Sequence, residues 1–137
     1  MPEQWKMICK VKDIPPGGVR VVQRGLAWQE LPGVALFRSL DDRFFALLDR
    51  CPQDGGALAG GLVDQDSVRC PEGRWAVDLA SGRVTDAGGT VAVARAYTVR
   101  VEEAKLYLEV NEMNAPASKA EAALAGAFSV STHFVSV

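Results

Sequence analysis

The chain has 137 residues, 48% of them hydrophobic and 23% charged, a composition that suits one globular domain with its own core. Fifteen Lys and Arg against seventeen Asp and Glu leave a net charge of −2, which gives no electrostatic case for nucleic acid or an anionic membrane as partner. Three cysteines and one histidine exclude more: a metal site of two His and two Cys cannot be assembled, and a Cys–His or Ser–His–Asp catalyst has one imidazole to draw on.

The first residues, Met1-Pro2-Glu3-Gln4-Trp5-Lys6, show no basic stretch leading into an apolar run, so no secretory signal is read there. No apolar run approaches the roughly 20 residues of a membrane span. A cytoplasmic protein is expected, with thiols that are reduced or metal-bound rather than in structural disulfides. Short apolar stretches then alternate with turn signals, the pattern of an all-β antiparallel sandwich or barrel. Residues 5–11 read as a strand ended by Asp13-Ile14-Pro15-Pro16-Gly17-Gly18, because proline removes ladder donors and glycine opens unusual backbone angles. Strands over 19–23 and 26–30 flank Arg24-Gly25, and Leu31-Pro32-Gly33 breaks the chain again. Residues 34–39 and 43–48 form a predicted hairpin around Leu40-Asp41-Asp42. Residues 51–61 are loop-like. Strands over 68–70 and 75–79 flank Pro71-Glu72-Gly73, Ser81-Gly82 and Gly88-Gly89 punctuate the next stretch, and 91–101 with 105–110 close the domain as a hairpin. From Asn111 the composition changes. Ser118-Lys119-Ala120-Glu121 fits a capping box before a short Ala-rich helix that stops at Gly126, and 128–137 can pair as a strand. This tail, 111–137, is read either as a frayed end or as a segment that docks on a partner or a second copy of the chain.

Two segments stand out, Cys51-Pro52-Gln53-Asp54-Gly55-Gly56 and Cys70-Pro71-Glu72-Gly73-Arg74-Trp75. Each is a Cys-Pro at a strand end turning into a loop, which suits backbone amides aimed at a thiolate or a sulfide. Around them run Trp5-Lys6-x-Ile8-Cys9, Asp13-Ile14-Pro15-x-Gly17-Gly18-Val19, Val34-Ala35-Leu36-Phe37-Arg38, and Phe45-Ala46-Leu47 leading into Asp49-Arg50-Cys51-Pro52. Gly55-Gly56-x-Leu58, Gly61-Leu62-Val63, Val68-x-Cys70-Pro71, Trp75-x-Val77-Asp78-Leu79-x-Ser81-Gly82-Arg83, Tyr97-x-Val99-x-Val101 and Leu106-Tyr107-Leu108 follow in order. This series, from residue 5 to about 110, resembles the Rieske-type [2Fe–2S] ferredoxin domain, and most closely the small subunit of assimilatory NAD(P)H-dependent nitrite reductase.

The resemblance implies a Rieske-like antiparallel β-sandwich or barrel over 1–110, with a small loop subdomain (the cluster loops, 51–75) and a C-terminal tail. It also shows a departure. The Rieske pattern places two Cys on one iron and two His on the other. Cys51 and Cys70 fall on the Cys positions, but Gln53 and Gly73 fall on the His positions. Glycine has no donor atom and a Gln amide is a poor ligand for ferric iron. Asp54 and Glu72 are adjacent carboxylates that would have to point elsewhere to substitute. The expectation is therefore a Rieske fold that binds no cluster and carries no catalytic residue or metal of its own. By resemblance it serves a large subunit that carries FAD, a [4Fe–4S] centre and siroheme and reduces nitrite to ammonium in nitrate assimilation. The alternative is an electron-carrying ferredoxin with non-standard ligands. Without a cluster, Cys51 and Cys70 remain either as packed thiols or as a disulfide closing a loop of about 20 residues, a thiol switch on a repurposed scaffold. Arg50, Pro52, Arg74 and Trp75 flank the two loops and are the candidate partner contact.

Other features have plainer readings. The run Gly55-Gly56-Ala57-Leu58-Ala59-Gly60-Gly61 lacks the Gly-Lys-Ser/Thr ending of a phosphate loop. Asp41-Asp42 and Glu102-Glu103 suit turns better than acid–base pairs. His133, the one imidazole, lies in the tail without a neighbouring acid or nucleophile. Cys9 is expected in the core, as are Trp5, Trp28 and Trp75 in core or interface.

Overall fold

The computed structural model describes residues 4–53, 55–70, 74–117 and 121. Among these, twelve short strands and one short α-helix follow in order: β1 Trp5–Lys10, β2 Val19–Val22, β3 Val34–Arg38, β4 Phe44–Leu48, β5 Leu62–Val63, β6 Ser67–Arg69, β7 Ala76–Asp78, β8 Arg83–Asp86, β9 Gly89–Val93, β10 Ala96–Tyr97, β11 Val99–Glu102, β12 Lys105–Glu109 and α1 Val110–Asn114. Every strand pairing is antiparallel. The strands form three sheets, β1-β12-β11, β10-β4-β3-β2 and β5-β6-β7-β8-β9. No helix of the described residues is long and apolar enough to cross a membrane.

The four-stranded sheet is the central layer, for a reason visible in β3. All of Val34, Ala35, Leu36 and Phe37 are buried, as a strand covered on both faces requires. Side chains alternate across a strand. Accordingly Ala35 and Phe37 join one core with Leu47, Val68, Val77, Leu79 and Val84, facing the five-stranded sheet. Val34 and Leu36 join the other with Ala46, Tyr97, Leu106 and Leu108, facing the three-stranded sheet. Cys9 lies in this second core, 4% exposed, and burial pushes its thiol pKa up despite the nearby Arg20 cation.

The β3–β4 hairpin forms where expected. Its turn places Asp42 at φ 64, and Asp41 and Asp42 pair with Arg43 and Arg38 in the turn itself. Two expectations fail. Residues 26–30 are not a strand. Ala27–Gln29 is one turn of 3₁₀-helix, because the Leu26 N–H donates to the Gln29 side chain at 2.7 Å and the Gln29 N–H to the Leu26 carbonyl at 3.0 Å. These local bonds take the donors and acceptors that a ladder would use. Residues 91–101 are not one strand either: β9, β10 and β11 belong to three different sheets. The chain leaves the five-stranded sheet after Val93, and the Leu48 N–H bonds the Arg95 carbonyl at 2.8 Å. Thr98 is then drawn out of the ladder, its N–H and hydroxyl both held by the Glu112 carboxylate at 2.8 and 3.0 Å.

Beyond β12 the chain stays on the domain. Glu109 caps α1 by accepting from the Glu112 N–H at 2.8 Å, and Met113 buries in the second core. The buried Arg24 guanidinium donates to the carbonyls of Pro32, Met113 and Ala115 and pairs with Glu121 at 2.6 Å. Arg95 donates to the carbonyls of Glu112 and Pro116. The expected helix up to Gly126, the strand over 128–137 and His133 lie outside the described residues, as does most of the capping box.

Candidate functional site

The first loop leaves β4 through Asp49-Arg50-Cys51. The Cys51 N–H donates to the Gly56 carbonyl at 2.7 Å, and the Gly55 N–H returns to the Cys51 carbonyl at 2.8 Å, so the loop closes on itself. That closure needs φ +75 at Gly55, a conformation side-chain-bearing residues rarely adopt. Farther on, Leu58 plugs into the first core at 0% exposure. The Asp49 Oδ1 accepts the Ala59 N–H at 2.8 Å and pins the far end of the loop. Burial pushes the Asp49 carboxyl pKa up, outweighing the amides of Ala59 and Leu58 that favour its charge. The second loop follows β6, and the Cys70 N–H donates to the Trp75 carbonyl at 2.9 Å.

Gly61 sets the approach of the two loops. A Cβ there would lie 2.1 Å from the Arg69 carbonyl oxygen, so only glycine lets the first loop pass this close to the residue before Cys70. As a result Cys51 and Cys70 face one another, with sulfurs 3.4 Å apart at 0% and 2% exposure, inside the first core beside Leu58, Val68 and Val77. A disulfide has an S–S length of about 2.05 Å, so the pair is in contact and unbonded.

The other predicted residues are arranged around the pair. Arg50, Pro52 and Gln53 are exposed on the first loop and Arg74 on the second. Trp75 is half-buried and packs against the first core, supporting the tip from beneath. Gly73, Asp54 and Glu72 lie outside the described residues. Beside the first loop a groove of ≈ 570 Å³ is lined by Arg50, Pro52, Val93, Arg95, Ala117 and Glu121, so the segment after β12 forms one wall of the tip. Asp49, Leu58 and Gly61 stand in the motifs that carry the resemblance, but the sequence assigns them no role, because it does not say which backbone comes near; the Arg24 clamp on this segment had no signal at all.

A Rieske [2Fe–2S] cluster asks for two thiolates on one iron and two imidazoles on the other. The thiol pair fits the first iron. The second does not fit: Gln53 offers an exposed amide, and position 73 is a glycine without a donor. Among the described residues, no three His, Cys, Asp or Glu side chains converge as a metal-ligand group.

The Rieske-like [2Fe–2S] domain profile matches residues 4–109. The 3-phenylpropionate/cinnamic acid dioxygenase ferredoxin subunit of Photorhabdus laumondii is 31% identical over 106 residues, 77% of this chain and 93% of that protein. In the complex of reduced oxygenase and oxidised ferredoxin of carbazole 1,9a-dioxygenase, one chain superposes with a TM-score of 0.65 at 27% identity, covering 77% of this chain and 92% of that one. A Mycobacterium tuberculosis protein assigned as an NADH-dependent nitrite reductase small subunit gives 0.64 at 23% identity, covering 80% and 96%, a likeness of fold alone. On the profile match and the 31% identity, this chain belongs to the Rieske-like [2Fe–2S] domain family.

Proposed function

We propose that this chain is the small, cluster-free subunit of an NAD(P)H-dependent nitrite reductase, and that it gives docking surface and stability to a catalytic large subunit. The observation that carries the reading is the state of the cluster loops. Their two thiols are sealed in an apolar core, while the imidazole positions hold an exposed amide and a glycine. An electron carrier needs a complete ligand set for both irons. A docking subunit needs the loops only as a shaped tip, and Arg50, Pro52 and Arg74 supply its exposed face over Trp75. On this reading the partner holds the FAD, [4Fe–4S] and siroheme groups, the complex is cytoplasmic, and no residue of this chain takes part in chemistry on nitrite.

Anaerobic purification tests it. The expected product is colourless, contains no iron and retains a flavin- and siroheme-bearing protein in a pull-down. Two irons per chain with visible absorption would overturn it in favour of the second reading, a Rieske-type ferredoxin with non-standard ligands. That reading has support of its own: the 31%-identical relative is a ferredoxin subunit of a dioxygenase, and a 29%-identical relative is also a ferredoxin.

A further inference from the structure

We propose that Cys51 and Cys70 are a reversible disulfide site that ties the two tip loops together, with a low-molecular-weight disulfide as oxidant. The sulfurs face each other at 3.4 Å, and closing to bond length asks for a further approach of about 1.4 Å. Hydrogen bonds at 2.7, 2.8 and 2.9 Å hold the backbone at both cysteines, so the thiols are presented to each other before any reaction. The flanking Pro52, Gln53, Gly55 and Arg74 are exposed, so the small movement takes place at the surface end of the two loops. The third thiol, Cys9, lies in the other core across the central sheet and does not compete. The bond would close a loop of about 20 residues across two loops that share no β-ladder.

The reaction is thiol–disulfide exchange. Both thiols are buried, so exchange proceeds through local opening of the tip, in which the Cys70 thiolate attacks one sulfur of a small disulfide and expels the first thiol. Cys51 then loses its proton and its sulfur attacks that of Cys70, expelling the second thiol. The two cysteines are oxidised by two electrons, the reagent disulfide is reduced to two thiols, and both protons end on the released thiols. The proposal does not depend on the nitrite reductase reading, since it needs only this chain.

The test uses the full chain, equilibrated in glutathione redox buffers, quenched with acid, unfolded, alkylated and weighed. The expected oxidised species has lost two hydrogens and takes one alkyl group, and peptide mapping joins the Cys51 peptide to the Cys70 peptide and places the alkyl group on Cys9. Its melting temperature should rise by roughly 10 °C over the reduced form. Cys51→Ser should instead keep glutathione on Cys70. Three alkyl groups at every buffer ratio, or a glutathione adduct that persists on the wild-type chain, would overturn the proposal.

Discussion

Glu103 and Ala104 both hold positive φ, 51 and 61, in the two-residue turn between β11 and β12. Such a turn prefers glycine, because a Cβ in the left-handed region costs about 1–2 kcal/mol. Ala104→Gly should therefore stabilise the chain by about 1 kcal/mol, read as a higher urea midpoint with an unchanged slope. Asp49 carries the opposite kind of strain. Its pKa is raised in the folded chain above its ordinary 3.8, so its contribution is favourable only while protonated and is lost as pH rises through the folded value. Asp49→Asn keeps the acceptor for Ala59 without a charge to bury. It should melt above the parent at neutral pH, and the gap should close near pH 3. At this scale the sequence was informative where a residue carries its own chemistry. Cys51 and Cys70 declare themselves by type and by the proline after each. Gly61 and Arg24 do not, because what makes them matter is a carbonyl at Arg69 or at Met113 and Ala115, supplied by a distant part of the chain.

Strands with clean alternation and a turn at each end, such as β1, β3 and β4, were legible. The failures share one cause: hydrogen bonds that pattern does not encode. Gln29 closes a turn on Leu26, and Glu112 takes Thr98 from the ladder. The same reason hid the docked segment after β12, which is held by two arginines rather than by an apolar stripe. Arg24 is its clamp. Arg24→Ala removes the donor to three carbonyls and the cation beside Glu121, and should cost about 3 kcal/mol in chemical denaturation. Burial opposes the Glu121 charge, but Arg24, the Ala117 amide and Arg95 outweigh it and hold its pKa below the ordinary 4.5. A lowered carboxylate stabilises at neutral pH and loses that contribution as pH falls through its folded value. The difference in melting temperature between the parent and Glu121→Gln should thus be present at pH 7 and disappear in acid.

For the whole molecule, a net charge of −2 hides an uneven surface, since Arg50 and Arg74 stand exposed on the two tip loops. If the tip meets an acidic partner, the double variant Arg50→Glu, Arg74→Glu should weaken that association tenfold or more, chiefly through a slower on-rate that salt also depresses. A variant that binds as the parent does would move the interface elsewhere. The layered architecture carries a separate consequence. Because β3 gives Ala35 and Phe37 to one core and Val34 and Leu36 to the other, neither outer sheet can peel away without uncovering half of the same strand. The molecule is therefore cooperatively welded at β3. Amides of β7 and of β12, in different sheets and different cores, should exchange with solvent through one shared global opening, with matching free energies and the same dependence on denaturant.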